Sequence, residues 1–296
     1  MGGDRSVKRT KGTTRLLLGA ATAGMALSLA ACGATHTKTH SAVAPTAPQH
    51  HQTTSPNGTI WLLAYSHFSQ IIANTKVLAL FERGTIYEPV TPRQTPYALR
   101  NVIPTADFHS ATLFASQVES PAFPTSIGAI IYDNERYANT PQIEQANPVH
   151  YYSEVAHLAE QHHLTSICDF IQPDRLPPDE RQANHEVPGC TIIGLNTVQQ
   201  SERDPQTYLS VVSKAVRLIR SIDPSVPIIA GLSANPRGTP VTAAELTADM
   251  TIVAGLVNGF WLNVPAPGVG CPACHAPNPA LLQQALADLP STFSTS

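Results

Sequence analysis

From Ile60 onward, short apolar runs alternate along the chain with longer amphipathic stretches. This alternation predicts parallel strands joined by helices. Seven strands are predicted, one fewer than a closed eight-stranded barrel has. The runs that predict them are Ile60–Ala64, Val77–Phe81, Ile127–Tyr132, Thr165–Phe170, Thr191–Leu195, Pro227–Leu232 and Gly259–Val264.

Helices are marked more sharply than strands, because capping residues precede apolar residues at helical spacing. Asn147 and Asp204 each stand before a proline, which is favoured at the first helical position. Thr242 and Glu245 have the spacing of a capping box. The predicted helices are Pro148–His162, Pro205–Ile222 and Thr242–Val253.

The order of these elements predicts an α/β fold, specifically a (β/α)8-like barrel of the TIM type over residues 58–292. We expect its first third to be irregular, because helix and strand patterns overlap there. An open doubly wound sheet is the alternative. The chain carries no Gly-rich phosphate loop after a predicted strand that would favour that alternative.

The first 32 residues combine a basic start, an apolar run and a cysteine. The uncharged run Leu16–Ala31 has 16 residues, fewer than the roughly 20 of a membrane-spanning helix, so we expect an export signal. The segment Leu29-Ala30-Ala31-Cys32-Gly33 resembles the lipobox of bacterial lipoproteins. That resemblance implies lipidation of Cys32 and anchoring at the outer face of the cell membrane. An ordinary signal peptide with a chance cysteine is the alternative.

Residues 33–57 are rich in Thr, His, Pro and Ser and hold almost no large apolar side chains. We expect a disordered tether, because such a segment cannot bury enough surface to offset its ordering entropy.

The signal contains five of the 18 basic residues and one of the 21 acidic ones, so the rest of the chain has a formal charge of −7. Together with the absence of a basic motif, this charge excludes nucleic acid as an expected partner.

Two carboxylates follow the predicted strand that ends at Tyr132. Asp133 and Glu135 are two residues apart, so in extended geometry they point the same way. Glycoside hydrolysis uses such pairs, one protonated and one ionised. The Asp-x-Glu ending resembles that of the fourth strand in chitinase-like barrel glycosidases, which implies Glu135 as acid and Asp133 as supporting carboxylate. A solvated loop start, with Asp133 capping or pairing with Arg136, is the alternative.

Polar residues follow the other predicted strands as well, and on one face of a barrel they would form a polar cup. Tyr132 and Trp261 would add aromatic rings that suit a sugar. Each residue alone is equally typical of a turn. The expected binding residues are Tyr132, Glu82, Asp169, Gln172, Asn196, Gln199, Ser233, Asn235, Trp261 and Asn263.

Residues 128 to 288 also resemble the secreted barrel proteins that actinobacteria encode. The resemblance lies in four segments and implies the barrel fold, but no activity. The segments are Tyr132–Glu135, Ala230–Pro236, Gly259–Pro265 and Cys271–Cys274.

With Cys32 lipidated, four cysteines remain, and an even count outside the membrane indicates disulfides. Four cysteines allow three pairings, of which we favour Cys271 with Cys274 and Cys168 with Cys190. Cys271, Cys274 and His275 also match the Cys-x-x-Cys-His pattern of c-type haem attachment. A haem protein is therefore a further alternative.

The sequence thus predicts a membrane-tethered barrel that is a glycoside hydrolase-like enzyme, or a relative of such enzymes, and acts on an extracellular glycan. A non-catalytic protein that binds a carbohydrate or small ligand in the same cup is the rival. Neither prediction requires a cofactor, and we expect no metal site.

Overall fold

Eight parallel strands pair in chain order, and β8 also pairs with β1, so the sheet closes into a barrel. This is the (β/α)8 barrel of the TIM type that the sequence predicts. The strands are β1 (Ile60–Leu63), β2 (Thr85–Pro89), β3 (Val102–Phe108), β4 (Ala129–Tyr132), β5 (Thr165–Asp169), β6 (Ile192–Leu195), β7 (Ile228–Ser233) and β8 (Gly259–Asn263).

The structure is a computed structural model that describes residues 58–63, 65–91, 94–134, 140–169, 189–196, 201–268 and 272–296, with the backbone alone at 65, 66 and 237. All of them lie within the compact unit His51–Ser296. Helices precede or follow most strands. They are α1 (Tyr65–Ile71), α2 (Thr75–Phe81), α3 (Ala111–Val118), α4 (Gln142–Ala146), α5 (Pro148–Gln161), α6 (Pro205–Ile222), α7 (Ala243–Val253) and α8 (Pro279–Ala287).

The barrel interior is filled by alternate side chains from the strands, as the period of two in a strand requires. This inner cluster is continuous from β1 to β8. Its members are Ile60, Leu62, Tyr87, Ile103, Ala129, Ile131, Ile167, Ile192, Ile229 and Trp261. The intervening strand residues, such as Trp61, Ile130 and Phe260, pack against the helices in a second, outer core.

One predicted strand is wrong. Residues 77–81 lie in α2, whose N-cap residue Asn74 accepts a hydrogen bond from Lys76 N at 3.0 Å. Val77, Leu80 and Phe81 are its buried residues, and their spacing places them on one helical face. The run is therefore apolar because it packs as a helix.

Two strands were missed in the same third of the chain. β2 and β3 contain Pro89 and Pro104, and they also contain the polar residues Glu88 and Asp107. These residues break up the apolar runs from which strands are predicted. The six other predicted strands are confirmed, with shifts of two residues at most.

The predicted helices are confirmed, although one of their caps is not. Asp204 accepts a hydrogen bond from Gln206 N at 3.1 Å at the start of α6. Thr242 and Glu245 form both bonds of the capping box at α7. Asn147 precedes Pro148 as expected, but its side chain makes no capping hydrogen bond.

A disulfide joins Cys168 of β5 to Cys190, which lies just before β6, with 6.0 Å between their Cα atoms. The predicted pairing of these two cysteines is confirmed. Cys274 is also disulfide-bonded, and Cys271, its predicted partner, lies outside the described residues.

Within the described part of the chain, no helix has the length and apolar character needed to cross a membrane.

Candidate functional site

A group of polar side chains, here called the polar cup, lies where strands β3 to β8 end. Each member continues the inward-facing alternation of its strand, so it follows the apolar residues of the inner cluster. The carboxyl ends of barrel strands are where the active sites of this fold lie. The polar cup consists of Asp107, Asp133, Asp169, Asn196, Ser233 and Asn263.

Asp107 contributes a carboxyl group from the end of β3, level with Ile131 of β4 in the strand register. The residue is exposed. Desolvation raises the pKa of Asp107, and the nearby charge of His109 and a hydrogen bond with the Phe108 backbone lower it in part. The shift favours the protonated acid.

Asp133 is the neighbouring carboxylate, at the end of β4, and it is buried. Its backbone N–H donates to Phe108 O at 3.0 Å, which extends the β3–β4 ladder by one residue. His109 Nδ1 lies 4.0 Å from Asp133 Oδ2 and 3.3 Å from the Asp133 backbone oxygen. His109 therefore lies beside Asp133, and its charge also acts on Asp107.

Asp169 is linked to Asn263 through Asn196, by one hydrogen bond to the Asn196 backbone and one to its side chain. Its Oδ1 accepts a hydrogen bond from Asn196 N at 3.2 Å. Asn263 Nδ2 in turn donates to Asn196 Oδ1 at 3.0 Å. The ends of β5, β6 and β8 are thus connected through side chains, which fixes the positions of these polar groups.

Ser233 completes the polar cup on β7 and also organises the turn that follows. Its Oγ accepts a hydrogen bond from Asn235 N at 3.1 Å. The buried carboxylate of Glu202 accepts one from Ser233 N. Asn235 itself is buried just beyond the strand, and Cys274 Sγ lies 3.8 Å from its backbone oxygen.

Glu144 is a buried carboxylate beside the polar cup that accepts hydrogen bonds from five donors. Four belong to the start of α3, where the N–H groups are unsatisfied by the helix. They are Ser110 Oγ at 3.0 Å, Ala111 N at 2.8 Å, and Thr112 N and Oγ1 at 3.2 and 3.1 Å. The fifth is the hydroxyl of Tyr132, at 3.0 Å.

The structure brings together five of the sequence-predicted site residues, namely Asp133, Asp169, Asn196, Ser233 and Asn263. Asn235 lies next to them. Glu135, Gln172 and Gln199 lie outside the described residues. Whether the assembled residues bind a ligand stays a prediction.

Three predicted binding residues lie elsewhere. Tyr132 points away from Asp133, because successive strand residues face opposite sides; it is fully buried and packs against Tyr152 with ring centroids 5.2 Å apart. Glu82 follows helix α2 and precedes β2, so it lies at the opposite end of the barrel from the polar cup. Its prediction depended on the strand that proved to be a helix.

Trp261 faces the barrel interior, one inward-facing position before Asn263. Its ring fills the space beside Gly194, where an added Cβ would lie 2.8 Å from Trp261 Cε3. Only 8% of the residue is exposed. Trp261 therefore belongs to the packed interior beneath the polar cup and offers no open ring face for a sugar.

Asp107, His109 and Glu144 were missed by the sequence reasoning. The first two were lost because β3 was not predicted. One signal could have found them, since Ser110 stands before an apolar helical segment and caps α3 through Leu113 N at 3.2 Å. A helix start there implies a preceding strand end at Asp107 and Phe108.

Among the described residues, no group of three or more His, Cys, Asp or Glu side chains has an arrangement that could hold a metal ion. The described groups that can act on a ligand are therefore carboxylates, amides, a hydroxyl and an imidazole. Such groups can bind hydroxyl-rich ligands and can donate or accept protons.

No protein-family model matches the chain, and no curated protein matches it. Solved structures similar to it include triosephosphate isomerase from Bartonella henselae (TM-score 0.45, 8% identity, covering 69% of this chain and 92% of the isomerase). The YdjI aldolase from Escherichia coli K12 has a TM-score of 0.41 and 11% identity, covering 71% and 76% of the two chains. Tryptophan synthase subunit alpha from Campylobacter jejuni has a TM-score of 0.40 and 9% identity, covering 79% and 95%.

Proposed function

We propose that this protein is a lipid-anchored, extracytoplasmic glycoside hydrolase that acts on an extracellular glycan. The membrane anchor is inferred from the lipobox-like segment ending at Cys32 and Gly33. The disulfide between Cys168 and Cys190 supports an oxidising compartment, because such bonds persist mainly outside the cytosol.

One observation carries the proposed activity. Asp107, Asp133 and Asp169 end three successive strands on the inward-facing side of the barrel. Hydrolysis of a glycosidic bond needs one carboxyl group that stays protonated and a second group that acts on water or on the sugar. Carboxyl groups in different surroundings meet this need, since the surroundings separate their pKa values.

Asp107 is the proton donor in this proposal, because desolvation raises its pKa. Asp133 is the supporting carboxylate, as the sequence predicts. Asn196, Ser233 and Asn263 would bind sugar hydroxyls through their amide and hydroxyl groups. Glu135 remains a second candidate for the acid, on its resemblance to chitinase-like glycosidases.

A screen of the purified full chain against cell-wall and storage polysaccharides tests the proposal through the release of new reducing ends. D107N should lower the rate at least about 100-fold, the usual contribution of a general acid. E154Q is the matched control, because Glu154 lies on α5 and is exposed. No product from any glycan would contradict the proposal, and wild-type activity in E135Q would exclude Glu135 as the acid.

Glycan binding without turnover is a second candidate function. It is favoured by the hydrogen bonds among Asp169, Asn196 and Asn263, which already hold one side of the polar cup in a fixed arrangement. Calorimetric titration with the same glycans separates the two functions. Saturable binding that N196A abolishes, without release of reducing ends, would establish the binding protein.

The haem alternative requires a free thiol at position 274, whereas Cys274 is disulfide-bonded. Thioether bonds to haem consume both cysteines of the motif. An absorbance scan of the purified chain tests this alternative, and a Soret band would support it.

A further inference from the structure

The contacts of His109 indicate which of its ring nitrogens carries a proton. Its Nδ1 lies 3.3 Å from the backbone oxygen of Asp133. A carbonyl oxygen can only accept a hydrogen bond, so Nδ1 carries the proton and donates it. In the neutral ring the lone pair then belongs to Nε2, which becomes the basic nitrogen.

The carboxylate of Asp133 supports the charge that His109 gains when Nε2 takes up a proton. Asp133 Oδ2 lies 4.0 Å from His109 Nδ1, and Asp133 is buried. The His109 side chain is partly exposed, with 31% of its surface accessible, so water can reach the ring. A histidine with a fixed tautomer and a carboxylate behind it has the arrangement of a general base.

Glu144 forms hydrogen bonds with both chain segments that carry His109 and Asp133. Its carboxylate binds the residues directly after His109, namely Ser110, Ala111 and Thr112. On the other side it accepts a hydrogen bond from Tyr132, and its backbone oxygen accepts one from Asn134 Nδ2 at 2.8 Å. Tyr132 and Asn134 are the two chain neighbours of Asp133.

We propose that His109 is the general base of the polar cup, oriented by Asp133, and that Glu144 is the positioning residue that keeps these two side chains together. This inference rests on the hydrolytic function proposed above. It names the group that activates water and the residue that positions that group.

In the reaction, His109 Nε2 accepts a proton from water while the water oxygen bonds to the anomeric carbon. The bond from that carbon to the leaving oxygen breaks, its electron pair stays on the oxygen, and Asp107 gives that oxygen its proton. One water molecule is thereby added across the glycosidic bond. Solvent then carries the proton from His109 back to Asp107, and the configuration at the anomeric carbon is inverted.

Nitrogen NMR of the full chain in detergent, labelled with 15N-histidine, tests the arrangement without any substrate. The signals of His109 are assigned by their loss in H109Q. The wild type should show the Nδ1–H tautomer, whereas E144Q should show a mixture of the two tautomers. If E144Q fails to fold, Y132F replaces it in the experiment. Y132F removes only one of the five hydrogen bonds to Glu144, so it should change the His109 signals in the same direction but less.

His150 is the matched internal control, because its Nε2 lies 3.6 Å from Glu154 on the exposed face of α5. Its signals should stay unchanged in both variants. An Nε2–H tautomer of His109 in the wild type would overturn the inference. A His109 spectrum that neither variant alters would overturn the role of Glu144.

The rate of glycan hydrolysis tests the assignment of His109 as the general base independently of the NMR experiment. On a glycan that the wild type hydrolyses, H109A should lower kcat at least about 100-fold, with KM little changed, and added imidazole should restore part of the rate. Imidazole should not restore E144Q, whose base is present but displaced. Full activity in H109A overturns the base assignment. The expected tautomer without hydrolysis of any glycan would refute the proposed function and leave the positioned pair intact.

Discussion

Glu202 accepts a hydrogen bond from the backbone N–H of Ser233, so a fully buried carboxyl group lies directly behind the polar cup. Asp249 of α7 is also fully buried, and its charge contributes to the raised pKa of Glu202. Burial is the larger cause of that shift. Burial also raises the pKa of Asp249 to about 8, with smaller contributions from the charges of Glu245 and Asp204.

These raised pKa values predict that the barrel loses stability as the pH rises. The folded state keeps protons on Glu202 and Asp249 that the unfolded chain releases near pH 4. Their stabilising contribution is complete below that pH and falls as the pH rises toward the raised pKa of each group, which for Asp249 is about 8. Urea unfolding at pH 5, 7 and 9 should show the free energy of unfolding falling, by up to about 1.4 kcal/mol per pH unit for each retained proton.

The variant D249N isolates this effect, because asparagine has no proton to lose. Its free energy of unfolding should depend less on pH than that of the wild type. E154Q, which neutralises an exposed carboxylate, should keep the wild-type dependence. An identical pH slope in D249N and the wild type would contradict the assignment of retained protons to this pair.

The disulfide between Cys168 and Cys190 closes a chain segment with a sequence separation of 22 residues. Loop-closure entropy for such a segment predicts a loss of about 3 kcal/mol in the free energy of unfolding when the bond is removed. Chemical denaturation of C168A/C190A measures this loss, and the fully reduced wild type should lose at least as much, because reduction also opens the disulfide of Cys274. Equal stability of the oxidised and reduced wild type would refute the prediction.

Gly194 makes room for the ring of Trp261 inside the barrel. G194A should lower the free energy of unfolding by about 1–3 kcal/mol, because the added methyl group overpacks the interior at Trp261 Cε3. G255A is the matched control, since an added Cβ at Gly255 meets no atom within 4 Å. If thermal or chemical denaturation finds the two variants equally stable, the close approach of Gly194 to Trp261 does not constrain the fold.

The proposed lipidation of Cys32 predicts that C32S takes up no labelled fatty acid in cells that export the wild type. Metabolic labelling with palmitate followed by purification measures the incorporation. Labelling of the wild type that persists in C32S would place the lipid elsewhere. The absence of labelling in both chains would indicate an ordinary export signal.

Much of the fold was predictable, because uninterrupted apolar strands bury both faces. β7 and β8 carry such runs, ending in Ser233 and Asn263, and both strands were found. β3 was missed because its inward-facing positions include Thr105 and Asp107 in place of apolar residues. A polar residue at an inward-facing position puts Asp107 in the candidate site. The same polar residue interrupts the apolar run by which β3 would have been predicted.

Five of the six residues of the polar cup were predictable on the same grounds, because polar residues directly after an apolar run mark a strand end. Glu144 could not be found in this way. Its importance comes from five donors, on residues 110–112 and 132, that lie near it only in the folded barrel. The aromatic residues Tyr132 and Trp261 were misplaced because composition shows that a ring is present but not which surface it covers.

Catalysis by the polar cup is measured by the rate of reducing-end release by D107N relative to the wild type. The assay uses the glycan found in the polysaccharide screen, with E154Q measured in parallel. We predict a loss of at least about 100-fold in D107N and an unchanged rate in E154Q. A D107N rate equal to that of the wild type would contradict catalysis by the polar cup.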